Sequence, residues 1–152
     1  MGARHSGREA ALQMLFQIET SGATAEQAIA LFWRHFEGDP EGRDYADAIV
    51  RGVHEKLAEL DARIAQSSSN WRIERMARVD RNLLRLGAWE LQMRADVTRA
   101  VILDEAVELA KSFGAEDSGA FVNGVLNQIA DRLGRVEDGG RKDDSGPKAE
   151  KP

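Results

Sequence analysis

The chain has 152 residues, enough for one domain with its own apolar core and no need of cross-links. Apolar residues make up 42% and charged residues 31%, a globular balance, and the lack of cysteine excludes disulfides, zinc–thiolate sites and cysteine nucleophiles. The net charge of −5 argues against a nonspecific nucleic-acid binder, and no apolar run reaches the roughly 20 residues of a membrane span, so a reducing cytoplasm is the expected location.

The charge is unevenly spread. Between Trp71 and Arg99 seven arginines stand against four acids, while residues 37–70 and 100–133 are each acidic. The first eight residues hold Arg4, His5 and Arg8 with no acid. An acidic body thus carries a basic tip and a basic middle.

In chain order, Ser6 and Glu9 have the spacing of a capping box, which predicts a first helix opening there with Ala11, Leu12, Leu15, Phe16 and Ile18 as its apolar positions. Ser21-Gly22 ends it. Thr24 with Gln27 makes a second capping box, followed by a stripe of Ala25, Ala28, Ile29, Phe32 and Phe36. Residues 38–42 read as a loop. A long helix is expected over about 43–65, with Tyr45, Ile49, Val53, Leu57, Leu60 and Ile64 on one side. The Ser-rich run 67–70 stops it.

From Trp71 the pattern restarts. Ile73 and Met76 suggest a short helical turn, and Val79, Leu83, Leu86, Gly87, Glu90 and Leu91 share one side of a longer helix. Gly87 in mid-helix predicts a close approach of two helices, since glycine there otherwise costs about 1 kcal/mol. Residues 101–126 read as two helices around a tight corner. Ile102, Ala106, Leu109, Ala110 and Phe113 mark the first, and Val122, Val125, Leu126, Ile129 and Leu133 the second. Gly114 is expected in the left-handed region, with Asp117 and Ser118 as N-cap candidates. No segment alternates like a strand. The expected fold is all-α, about seven helices in two packed three-helix-type sub-bundles. Residues 1–134 would form this domain, and 135–152, mostly charge, glycine, serine and proline, a disordered tail.

Reactive groups do not converge. His5, His35 and His54 have no metal-ligand spacing, Glu105 and Glu108 lack a following histidine, and no phosphate-binding or nucleophile loop occurs. No metal, cofactor or catalysis is expected. Arginines 72, 75, 78, 81 and 85 fall three or four apart, as either a solvated face or a partner surface. Trp89 beside Glu90 reads as an exposed interface anchor, and Trp71 as core or hinge. Phe113 and Phe121 are of a type more often found in cores. Their place at a corner beside Asp117 and Asn123 makes them candidates for stacking on a ligand.

Three blocks carry a resemblance. Residues 80–91 (Asp-Arg-Asn-Leu-Leu-Arg-Leu-Gly-Ala-Trp-Glu-Leu), 104–114 (Asp-Glu-Ala-Val-Glu-Leu-Ala-Lys-Ser-Phe-Gly) and 121–126 (Phe-Val-Asn-Gly-Val-Leu) resemble the signature segments of the NusB family of bacterial transcription antitermination factors. Residues 8–13 resemble that family's first helix, and the likeness runs over about 4–133. It implies a helical, non-enzymatic protein that binds single-stranded boxA RNA of ribosomal RNA leaders together with the ribosomal protein NusE, in the elongating RNA polymerase complex. By position it implies RNA contacts at Arg4, His5, Arg8, Phe113, Asp117 and Phe121. It implies a NusE-facing surface near Asp80, Arg81, Trp89 and Glu90. Single-stranded RNA is read by stacking and edge hydrogen bonds, which these residue types supply. The thin basic motif motivates a second reading, a helical protein–protein adaptor with marginal RNA binding of its own.

Overall fold

The computed structural model describes residues 2–68 and 71–136. Among them the chain forms seven α-helices and one 3₁₀ turn, with no strand. The helices are α1 (Ala3–Ser21), α2 (Ala25–His35), α3 (Pro40–Glu55), α4 (Leu57–Ser67), α5 (Arg78–Met93), α6 (Arg99–Phe113) and α7 (Ser118–Arg132); the 3₁₀ turn, Ile73–Arg75, lies between α4 and α5. Helices α1, α2 and α3 pack on one another, and α4 to α7 form the second group, with α5 also against α1 and α3. The expected all-α fold in two sub-bundles is what forms. Their interiors merge into one core, because α5 is buried on nearly every side from Arg81 to Leu91. None of the described helices is long and apolar enough to cross a membrane.

Local sequence explains several boundaries. The Thr24 hydroxyl accepts from the Gln27 amide and the Gln27 side chain accepts from the Thr24 amide, so the second capping box exists as expected. Gly22 closes α1 at φ 76°, where a Cβ would be strained. Pro40 occupies the first turn of α3 behind Asp39, whose carboxylate accepts from the Gly42 amide at 3.0 Å. Gly87 does admit a neighbour closely: a Cβ there would lie 2.7 Å from the Leu126 side chain.

Other boundaries differ from expectation, each for a tertiary reason. Helix α1 starts at Ala3, ahead of the Ser6–Glu9 box, with no side-chain cap at Gly2. Contacts made by Arg4 and His5 hold this first turn instead. A Gly7–Gly42 crossing helps, in which a Cβ on Gly7 would sit 2.7 Å from the Gly42 carbonyl. The long helix expected over 43–65 breaks at Lys56 (φ −109°, ψ 24°), which frees α4 to pack on α5 and α7. Gly114 is not left-handed (φ −102°). Its small size is what the corner uses, since a Cβ would lie 2.6 Å from the Ser118 hydroxyl, which accepts from the Ala115 amide. Asp117 holds the N-cap position without a side-chain bond. Past Gly134 the body continues: the Arg135 guanidinium donates to the Leu91 and Val97 carbonyls at 2.8 and 2.6 Å. The expected disordered tail otherwise lies outside the described residues from 137 onward.

Candidate nucleic-acid interface

The first two turns of α1 lie along the loop between α5 and α6 and the outer side of α6. Arg4, His5, Arg8, Thr98, Val101 and Glu105 line a shallow groove of about 390 Å³ there. Arg4 is part-exposed, 3.5 Å from the Asp96 carboxylate, with its guanidinium 4.8 Å from the centre of the Tyr45 ring. The His5 imidazole Nδ1 lies 2.8 Å from Glu105 Oε1. Both side chains line the groove, each facing a carboxylate.

Arg8 is placed otherwise. The basic tip suggests an exposed phosphate contact, but its side chain is only 4% exposed. Arg8 donates to Glu90 through Nε at 2.9 and 3.1 Å and Nη2 at 2.9 Å, and to Glu105 through Nη1 at 3.2 Å. The Tyr45 hydroxyl donates to the same Glu90 carboxylate. Burial acts to lower the Arg8 pKa, but the hydrogen bonds and charge of Glu90 outweigh it and the net shift is upward. Burial, reinforced by the Glu90 charge, pushes the Tyr45 phenol well above its usual range, so it stays a proton donor at neutral pH. The Tyr45 ring also receives Arg8 and Arg94 at 5.2 and 4.7 Å, stacking three guanidiniums around one aromatic. Arg94 in turn holds the Asp96 carboxyl down at about 2 by a hydrogen bond. The basic tip is thus locked to the body by a mostly buried charge network.

At the corner of α6 and α7, Phe113 is 40% exposed and Asp117 is exposed, as a ligand-contacting pair requires. Phe121 is half-buried against the core, and its ring meets that of Trp71 in an edge-to-face contact with centroids 5.9 Å apart.

The expected partner surface on α5 does not survive as drawn. Trp89 is buried, its indole filling the space over Gly52, where a Cβ would come within 2.1 Å of Nε1. Glu90 is inaccessible. Arg81 turns inward to Glu19 and to the Ile73 and Met76 carbonyls. Only Asp80 of the four reaches solvent in part. The arginine stripe also divides: Arg81 and Arg85 pair with Glu19 and Asp61, whereas Arg72, Arg75 and Arg78 stay exposed. Trp71, read from the sequence as core or hinge, is 56% exposed. The sequence did hold a sign of Glu90's place, because it shares the apolar side of α5 with Leu83, Leu86 and Gly87. Tyr45 carried no sign beyond its position in an apolar stripe.

An all-α, two-bundle body with a basic α1 tip along the first half of α6, and an exposed aromatic at the corner where α6 ends, has the make-up of a helical binding protein. The chain belongs to the NusB family, whose model matches residues 5–131. It is 66% identical over 137 residues to the transcription antitermination protein NusB of Sorangium cellulosum, covering 90% of this chain and 98% of that one. Among solved structures, NusB of T. maritima superposes with a TM-score of 0.76 at 34% identity, over 84% of this chain and 90% of that one. A crystal structure of the antitermination factors NusB and NusE in complex with dsRNA contains a chain that superposes with a TM-score of 0.78 at 26% identity, over 86% and 97% of the two chains.

Proposed function

We infer that this chain is a transcription antitermination factor that binds RNA together with the ribosomal protein NusE, in support of ribosomal RNA transcription. The observation that carries this is the match to the NusB family across residues 5–131, reinforced by a relative at 66% identity that shares almost its whole length. The RNA it takes is single-stranded boxA, met in the elongating polymerase complex. The chain acts in the cytoplasm, by binding and without catalysis. Residues 1–134 form the binding domain, to which Arg135 is also tied, and the remaining residues are an accessory tail.

Within that reading, Arg4 and His5 meet phosphates along the groove, where the backbone amides at the start of α1 add a positive end. Phe113 and Phe121 take bases, and Asp117 reads a base edge. Arg8 acts from inside. Its bonds to Glu90 and Glu105 fix the turn that presents Arg4 and His5, so it positions the basic tip and leaves phosphate contact to them. On α5, Asp80 is the part-accessible member of the NusE-facing set, while Arg81, Trp89 and Glu90 act by holding the helix in the body.

Filter binding of a single-stranded boxA RNA, with and without NusE, tests the function. Salt-sensitive binding that strengthens when NusE is added is the expected result. Absence of RNA binding in both conditions, with NusE still captured, would establish the adaptor reading instead.

A further inference from the structure

Trp71 lies between α4 and the 3₁₀ turn, at the start of the described stretch that leads into α5, and its backbone is bonded to the end of α4. Its amide donates to the Ser68 carbonyl at 2.8 Å, and its carbonyl accepts from the Ser68 hydroxyl at 3.2 Å. Buried Met76 anchors the same connection a few residues on. The indole is nevertheless 56% exposed, and it meets Phe121 at 71°, edge to face. A single exposed apolar residue is ordinary on a protein surface. This one is held out on an ordered backbone, touches an aromatic of the proposed RNA site, and is followed by three exposed guanidiniums, Arg72, Arg75 and Arg78. Glu74 pairs with Arg72 and offsets one of those charges, so the patch keeps a net positive charge on an otherwise acidic body.

Aromatic faces interleaved with guanidiniums suit a polyanion with stackable bases: the rings take bases in any sequence, and the cations follow the backbone. A cationic protein partner would be repelled by the same patch. We propose that Trp71 is an RNA-stacking residue. It takes one further base beside Phe121, on a ring face turned 71° from that of Phe121, with Arg75 and Arg78 on the phosphates of the strand as it leaves the α6–α7 corner. This rests on the reading of Phe121 as an RNA contact. The groove beside Arg4 and the Trp71 patch would then be two stations on one bound strand.

The test is affinity of the full chain for a single-stranded boxA RNA, in the presence and absence of NusE, across a series of Trp71 variants. Trp71→Leu keeps an apolar cover on Phe121 but removes the ring face; it is expected to weaken binding by between about five- and a hundredfold. Trp71→Phe is expected to stay close to wild type. Replacing Arg75 and Arg78 by Gln should lower the slope of log affinity against log salt by about 0.7 for each phosphate no longer neutralised. Equal RNA affinity for Trp71→Leu and wild type, with Phe121→Ala weakened, would overturn this proposal alone. Loss of NusE capture by Trp71→Leu with RNA affinity unchanged would assign the patch to the protein partner and also overturn it. A wild-type chain that binds no RNA would remove the functional reading along with it.

Discussion

Glu90→Gln isolates the charge network that seats the basic tip. Glu90 is inaccessible to solvent and accepts three bonds from Arg8, whose side chain is 4% exposed, and one from Tyr45. Glutamine keeps the shape and one acceptor oxygen but removes the negative charge and turns an NH₂ towards donors. Removing one partner of a buried pair costs about 3–5 kcal/mol, because the other charge stays desolvated. Glu105, 3.2 Å from Arg8, retains part of the compensation, which places the loss near the lower end, about 3 kcal/mol. For a folded body of this size that corresponds to a fall in Tm of roughly 10 °C. Urea unfolding followed by far-ultraviolet circular dichroism gives the difference directly from midpoint and slope. Paired apolar replacement, Arg8→Leu with Glu90→Leu, should recover much of the loss, giving a coupling of at least about 2 kcal/mol. A change below about 0.5 kcal/mol in Glu90→Gln, or strict additivity in the cycle, would refute the idea that Arg8 depends on this carboxylate.

Three further outcomes are expected. Gly52→Ala drives a methyl group into the Trp89 indole, where 2.1 Å separates the positions, and should destabilise by at least about 2 kcal/mol in the same urea assay. Asp96 is held at about 2 against an ordinary 3.8, so its contribution is complete above the ordinary value and is lost as pH falls through the lower one. At 53% exposure that contribution is a fraction of a kcal/mol, and Asp96→Asn should lose less stability than wild type between pH 4 and pH 2, read from urea midpoints across that range. Arg4→Gln should reduce the salt dependence of RNA binding by about one phosphate contact, a change of about 0.7 in slope, while leaving the unfolding midpoint nearly unchanged.

The helices were legible because their periodicity is local. The stripe on α5 and the Thr24–Gln27 box each lie within a few residues, and both formed as expected. What failed depended on distant partners. Nothing near Trp89 tells that Gly52, on another helix, leaves space for an indole, so an aromatic beside charges looked like a surface anchor. Nothing near Ser6 tells that a Gly7–Gly42 crossing and the Arg4 and His5 contacts would carry α1 back to Ala3. Trp71, expected as core or hinge, is not core: its apolar character suggested burial, but it lies between α4 and the 3₁₀ turn with its indole 56% exposed. Composition showed the basic tip, but only the coordinates divide it into Arg4 and His5 at the groove and Arg8 inside. The corner of Phe113 and Asp117 was legible as a surface because an acid and an amide interrupt its apolar spacing.

Photo-crosslinking of a 4-thiouridine-substituted boxA RNA to the full chain in the presence of NusE, followed by peptide mapping, tests the central claim most directly. Cross-links are expected at the α1 tip around Arg4 and His5 and at the α6–α7 corner around Phe113 and Phe121. Cross-links confined to another face, such as the one formed by α2, would contradict it.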